Sequence, residues 1–281
     1  MKTIKKNIIW IASYPKSGNT WFRIFISNLL SGKDEPVNIN SLNEVPIASS
    51  RQIFDQYVGV NSSDLTTDEI NLYRPMVYRQ ISDENKKDVF LKVHDAWKLN
   101  KNQVSIFPKD RTRKAIYLIR NPFDVAVSYS FHFSVSMQSA VYQLNDSSNS
   151  LCNSSTKLCS QLQQNLFSWS EHVTSWIDMS DLPIYTIRFE DMLSKPLSTF
   201  RDVLEFLEIS VADSLIEKTI LKSEFSEVAK QERNYGFKEK PITSKKFFRS
   251  GQSTSISDVY NNPFYQALLM KHRPIMQRFG Y

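Results

Sequence analysis

The sequence predicts an α/β fold: one domain, with a parallel sheet covered by helices on both faces. Three observations carry this. Short apolar runs rich in β-branched residues recur at 7–12, 89–93, 115–119 and 183–188, amphipathic segments of helical spacing stand between them, and neither an internal repeat nor a linker divides the chain. Strands that are apolar throughout and alternate with helices belong to parallel sheets buried on both sides. With 281 residues, 41% of them hydrophobic and 23% charged, the chain can bury a full core as a single domain over 1–281.

The elements follow in order. The run 7–12 is a first strand ending at Ser13-Tyr14-Pro15, and Trp21, Ile24, Phe25, Asn28 and Leu29 mark a helix over 19–30. Residues 38–80 mix short apolar and polar pieces and read as a substrate-side loop or lid. The second strand, 89–93, leads into His94, and the third, 115–119, leads into Arg120. Asn121 then caps a helix with Pro122 in its first turn and Phe123, Val127 and Phe131 at four-residue spacing. Residues 140–165, dominated by Ser, Asn and Gln, read as a second substrate-side loop. A fourth strand, 183–188, is followed from Pro196 by a helix whose stripe of Leu197, Phe200, Val203, Leu204 and Leu207 packs in the core.

Charge and composition narrow the function. The net charge of +6 suits an anionic ligand. Its basic residues are scattered, and the pairs Lys5-Lys6, Lys86-Lys87 and Lys245-Lys246 read as solvated surface, so no nucleic-acid partner is expected. Ser13, Pro15 and Lys16 interrupt the first apolar run too early for a secretory leader, and no run approaches the ~20 apolar residues that span a bilayer. A cytoplasmic protein without a membrane partner is expected. Cys152 and Cys159 read as free thiols, and no His or Cys pair has ligand spacing, so no metal is expected. His132, His172 and His272 read as ordinary polar or packing residues.

The junction after the first strand is Tyr14-Pro15-Lys16-Ser17-Gly18-Asn19-Thr20-Trp21. Gly18 permits a tight turn, the amides of Gly18 to Trp21 face out of the helix start, and the positive end of the helix dipole favours a phosphate there. Lys16 adds a full charge. In the nucleotide-kinase loop G-x-x-x-x-G-K-[ST] the lysine follows the second glycine; here it precedes the only one. A second candidate anion site is Arg120-Asn121-Pro122-Phe123-Asp124-Val125-Ala126-Val127-Ser128, where Arg120 at the strand end and Ser128 two turns into the helix can converge on one anion. Arg120 could equally pair with Asp124.

These motifs resemble those of the sulfotransferases that use 3′-phosphoadenosine 5′-phosphosulfate (PAPS). The loop matches Y-P-K-[ST]-G-[TS]-T-W except at Asn19, the Arg120 segment matches R-N-x-x-D-V-x-V-S, and Lys92-Val93-His94 resembles the family's K-T-H element. The resemblance implies a P-loop-like parallel sheet of about five strands. It assigns the 5′-phosphosulfate to Lys16, Ser17, Gly18, Asn19 and Thr20, with Lys16 on the bridging oxygen and Trp21 against adenine. Arg120 and Ser128 would hold the 3′-phosphate, which separates PAPS from ATP. His94 would be the general base and Lys92 would neutralise the sulfuryl oxygens. Phe189, in Arg188-Phe189-Glu190-Asp191-Met192, stands near adenine by resemblance to F-E-D-M, and Ser223 and Phe225 fit a [TS]-x-F step with one polar contact and one stacked ring. Arg249, Ser250 and Gly251 resemble the start of R-K-G-x-x-G-x-x-K, which closes over the 3′-phosphate. Ser250, Thr254 and Ser257 replace Lys, Gly and Lys, which implies fewer charges and a more mobile flap.

The implied reaction is transfer of a sulfuryl group to a hydroxyl or to an amine or guanidine nitrogen of a small polar acceptor, such as a secondary metabolite or alkaloid, leaving adenosine 3′,5′-bisphosphate. The polar 140–165 segment, and Asp95 beside His94 as a partner for a cationic acceptor, suggest that class. A nucleotide kinase and a nucleotide-binding scaffold without catalysis stay open as alternatives. No short dimerisation element of the family's kind precedes Tyr281.

Overall fold

In a computed structural model the chain is described over residues 5–154, 156–241 and 244–281. In chain order the strands are β1 (Ile8–Ser13), β2 (Val89–Val93), β3 (Thr112–Ile119), β4 (Ser150–Leu151), β5 (Gln164–Asn165) and β6 (Ile184–Arg188). The helices are α1 (Asn19–Ser31), α2 (Arg51–Val58), α3 (Thr67–Glu84), α4 (Pro122–Phe133), α5 (Met137–Asn145), α6 (Trp169–Thr174), α7 (Phe189–Ser194), α8 (Pro196–Phe206), α9 (Asp213–Lys222), α10 (Phe225–Tyr235), α11 (Ile256–Val259) and α12 (Pro263–Arg278). A parallel sheet of four strands, ordered β2-β1-β3-β6 and flanked by helices, forms the α/β framework, where about five strands were expected. β1 pairs with β2 from Ile8↔Val89 to Ala12↔Val93. As an inner strand it is buried along its whole length, which is why it is apolar from Ile8 to Ala12.

The chain forms two compact units. One comprises Met1–Tyr14, Pro46–Tyr117 and Ser147–Tyr185; its core is built on Trp10, fully buried, with Tyr78 and Phe107 edge-on at 5.0 and 5.1 Å. The Trp10 indole donates to Thr112 Oγ1 at 2.9 Å, so the large ring is buried without an orphaned N–H. The other unit comprises Pro15–Val45, Leu118–Asp146 and Thr186–Tyr281. Here Phe200 of α8 stacks on Phe25 of α1 at 3.9 Å, and Phe200, Val203, Leu204 and Leu207 form the buried stripe their spacing predicted. Among the described residues no helix is long and apolar enough to cross a membrane.

Two expectations are corrected. Residues 38–80 are not chiefly loop, because α2 and most of α3 lie within them. Thr66 and Glu69 close a capping box, and Ile70, Arg74, Val77, Tyr78 and Ile81 give α3 a buried face that also takes in Asn71 and Ser82, while Leu72, Tyr73 and Met76 are exposed. In α4 the buried face is Pro122, Val125, Ala126 and Tyr129; Phe123 is buried too, but Val127 is half-buried and Phe131 is exposed. Of 140–165, only the end of α5 and the short β4–β5 pair are regular; Ser155 lies outside the described residues.

Candidate active site

The phosphate loop forms as its sequence dictates. Gly18 caps α1 at φ 98° and, as glycine, has no side chain to offer the first amides, while no acidic residue occupies the first turn. Asn19 and Thr20 open the helix, so its positive end is left to a ligand. A Cβ at Gly18 would stand 2.7 Å from Phe189 Cδ2, so side-chain packing also demands glycine. Lys16 is left-handed at φ 73°, uncommon outside glycine and a mark of a conformation imposed by its surroundings. Its Nζ lies 3.2 Å from His132 Nδ1 and 4.1 Å from the centre of the Phe247 ring. An ammonium only donates, so His132 accepts through Nδ1. Ser17 Oγ and Trp21 Nε1 are buried with no hydrogen-bond partner.

The second anchor is in the same unit. Asn121 Oδ1 accepts from Phe123 N at 2.9 Å, the expected cap of α4, and Asn121 N donates to Glu190 Oε1 at 3.0 Å. Arg120 thus emerges between a strand end and a fixed helix start. Its guanidinium lies 4.0 Å over the Phe189 ring, Nη1 donates to the Lys16 carbonyl at 3.3 Å, and Nη2 donates to the Gln252 carbonyl at 2.7 Å. Asp124 is 3.8 Å away, so the alternative pairing exists only as a long contact. Arg120 Nε is buried without a partner. Burial pulls the guanidinium pKa below its ordinary value, against the opposing pull of Asp124 and Glu190. A buried cation with an unspent donor, tied to the phosphate loop, suits a bound anion. Ser128 is half-buried farther along α4.

The other residues expected on the nucleotide side divide. Phe189 contacts both anchors, and Trp21 stands edge-on to it at 5.9 Å. Phe225 opens α10 against Gly251, whose Cβ would fall 2.6 Å from the ring. Arg249 stacks over Phe131 at 4.5 Å, with Ser250 half-buried beside it. Ser223 departs from expectation: it is fully buried, donates to the Thr219 carbonyl at 2.8 Å and accepts from Asn28 Nδ2 at 3.2 Å. Its hydroxyl ties α9 to α1 and does not face a ligand.

His94 and Lys92 belong to the other unit. Lys92 is the penultimate residue of β2, and His94 follows directly after its end. Lys92 is 7% exposed, and its backbone pairs with Pro46 and Ala48 at 2.9 Å each. His94 Nδ1 lies 2.9 Å from the Ser13 carbonyl and 3.3 Å from Ser13 Oγ. A carbonyl only accepts, so Nδ1 carries a proton, and in the neutral form of the ring the basic lone pair lies on Nε2. From behind, His172 Nε2 lies 3.1 Å from the His94 carbonyl, and the Tyr117 hydroxyl is 2.8 Å from His172 Nδ1. His172 therefore donates to His94 and accepts from Tyr117. Burial holds its pKa down to about 4, which keeps it neutral.

Asp95 does not act as expected. It is 1% exposed and bound through both oxygens by Arg74, at 2.9 and 2.7 Å, while Trp176 Nε1 donates to its carbonyl at 2.9 Å. Burial opposes the Arg74 charge, but the carboxylate and the Tyr78 hydroxyl raise its pKa above the ordinary value. Asp95 fixes the chain after His94 and is not available to a cationic acceptor. His132 and His172, read from sequence as ordinary polar residues, touch Lys16 and His94. Only the four-residue step from Ser128 to His132 on one face of α4 could have marked the former. Among the described residues no cluster of three His, Cys, Asp or Glu side chains is placed to hold a metal ion.

The model of the sulfotransferase domain matches residues 6–269. Dog sulfotransferase 1B1 is 26% identical over 77% of the chain, and the match spans 64% of that protein, just under two thirds of its length. Rat sulfotransferase 2A2 is 25% identical over 88% of the chain and 76% of its own. In fold, the chain is similar to mouse sulfotransferase SULT7A1 complexed with PAP, with a TM-score of 0.57 and 18% identity over 95% of the chain and 85% of that structure. It is similar also to retinol dehydratase in complex with retinol and PAP, with a TM-score of 0.59 and 16% identity over 94% and 80%. The chain belongs to the sulfotransferase family.

Proposed function

We propose that the protein transfers a sulfuryl group from PAPS to a hydroxyl or nitrogen of a small polar acceptor. The observation that carries this reading is the pair of anion anchors in one unit: the α1 start behind Gly18, and the buried Arg120 that donates to the Lys16 carbonyl. A nucleotide with phosphates at both its 5′ and 3′ positions is the ligand that would use both, and the donor-only atoms left without partners, Trp21 Nε1 and Arg120 Nε, fit it. PAPS, when bound, supplies the sulfuryl group and a phosphate leaving group.

The chain's own residues then have defined tasks. Lys16 balances the negative charge that gathers on the leaving oxygen, and Lys92 that on the sulfuryl oxygens, by the electrostatic logic of in-line phosphoryl transfer. His94 takes the acceptor's proton on Nε2, because Ser13 occupies Nδ1. Thr20 and the first amides of α1 hold the 5′-phosphate, Arg120 and Ser128 the 3′-phosphate, and Phe225 and Trp21 offer rings to adenine. With Asp95 held by Arg74, nothing on that residue favours a cationic acceptor over a neutral hydroxyl.

A thermal-shift titration tests the donor. At a hundredfold excess over Kd, adenosine 3′,5′-bisphosphate should raise the melting temperature of the wild type by about 5 °C or more. AMP and ATP should do far less, and Arg120→Ala should abolish the difference. Stabilisation by ATP alone would replace this reading with a kinase.

A further inference from the structure

The segment after Arg249 departs from the family pattern at Ser250 and Thr254, and its sequence implies a loosely held flap. Its contacts show a held one. Asp124, 4% exposed in the first turn of α4, accepts from Ser253 Oγ at 3.0 Å, from Thr254 N at 3.1 Å and from Thr254 Oγ1 at 2.6 Å. Glycine at position 254 could supply only the amide; the hydroxyls belong to this chain. Just before them the Gln252 carbonyl accepts from Arg120 Nη2, and Gly251, at φ 60°, lies on the Phe225 ring where a Cβ would not fit. The segment is thus fastened at three successive points: Gly251 on Phe225, Gln252 on Arg120, and Ser253 with Thr254 on Asp124.

The arrangement has an electrostatic consequence. Asp124 and Arg120 are four residues apart, and Arg120 Nη2 lies 3.8 Å from Asp124 Oδ2. A carboxylate so near a buried guanidinium would close on it unless other donors held it. Ser253 and Thr254 are those donors. Their bonds share out the charge of Asp124, keep it from closing on Arg120 and leave Arg120 Nε unspent.

We propose that Asp124, Ser253 and Thr254 form a latch that seats segment 249–254 on Arg120 and sets the preference for a nucleotide bearing a 3′-phosphate. The proposal rests on the donor reading above, and its test separates the two. In the Ser253→Ala/Thr254→Val double variant the carboxylate loses two of its three donors and turns to Arg120. Hydrogen bonds to a charged group of this kind correspond to a loss of about tenfold to a hundredfold in affinity for adenosine 3′,5′-bisphosphate, measured by calorimetry. Affinity for AMP, which lacks the 3′-phosphate, stays within about twofold. Thr254→Ser keeps the hydroxyl and the wild-type affinity, which excludes a general folding defect.

Limited trypsin digestion reads the latch without any ligand. Cleavage after Arg249 should be at least about fivefold faster in the double variant than in wild type, following the higher population of the open segment. Equal cleavage rates overturn the latch whatever the nucleotide results. An equal loss for AMP and for the bisphosphate overturns the role in 3′-phosphate preference. Faster cleavage in the double variant, with a wild type that binds no bisphosphate, keeps the latch and overturns the donor reading.

Discussion

Replacing His172 with Gln should make the protein less sensitive to acid. His172 is fully buried, accepts from the Tyr117 hydroxyl and donates to the His94 carbonyl. Its pKa falls from 6.5 to about 4 because burial penalises the charged ring. In the unfolded chain the same ring takes up a proton near pH 6.5, whereas in the folded protein it stays neutral until about pH 4. Between these values the unfolded state binds more protons, so the stability this group contributes is fully present above pH 6.5 and is lost as the pH falls towards 4. From pH 7 to pH 5 the loss comes to about 2 kcal/mol, at 1.36 kcal/mol per pKa unit. Gln can reproduce both hydrogen bonds and cannot titrate. Urea unfolding followed by tryptophan fluorescence, at both pH values and for both proteins, isolates the term, because carboxylates common to the two cancel in the difference. The wild type should lose about 2 kcal/mol more than His172→Gln. Equal losses, within about 0.5 kcal/mol, would show that His172 is either charged or exposed in the folded protein, and that the support proposed behind His94 is wrong.

Two further outcomes follow from the geometry. Gly18→Ala places a methyl group 2.7 Å from Phe189 at a left-handed φ, so it should cost about 1–3 kcal/mol of stability and weaken bisphosphate binding at least tenfold, read by denaturation and calorimetry. His132→Phe removes the acceptor for Lys16 while keeping a ring beside Phe247; turnover should fall about tenfold with bisphosphate affinity unchanged, and an unchanged turnover would remove His132 from the positioning of Lys16.

Much of the fold is legible in the order of residues alone. Apolar runs mark β1 and the end of β3, because an inner parallel strand must be apolar on both sides, and they mark the edge strands β2 and β6 as well. Asn121-Pro122 marks the start of α4 and Gly18 the start of α1, because caps and left-handed turns are chemistry within a few residues. α3 is hidden because Asn71, Arg74 and Ser82 lie on its buried side and Leu72, Tyr73 and Met76 on its exposed one, which blurs the helical periodicity. On α4 a four-residue spacing points to Phe131, which is exposed, since periodicity says that some face is buried without saying which neighbour covers it.

The site divides along the same line. The order of Lys16, Gly18 and Thr20, the step from Arg120 to Ser128, and the Lys92-His94 pair are local patterns, and they suffice for the family and for a proposed reaction. What the pairings do is decided only by folding. Arg74 withdraws Asp95 from any acceptor, His172 supports His94 from 78 residues away, His132 meets Lys16 across 116 positions, and Thr254 holds Asp124 across 130. Ser223, which fits a binding motif, is turned inward by Asn28 and Thr219. Caps, turns and buried strands are set by interactions between near neighbours, which the sequence by itself records; the protonation state of a buried group and the partner of a charge depend on residues that only the tertiary fold brings within hydrogen-bonding distance.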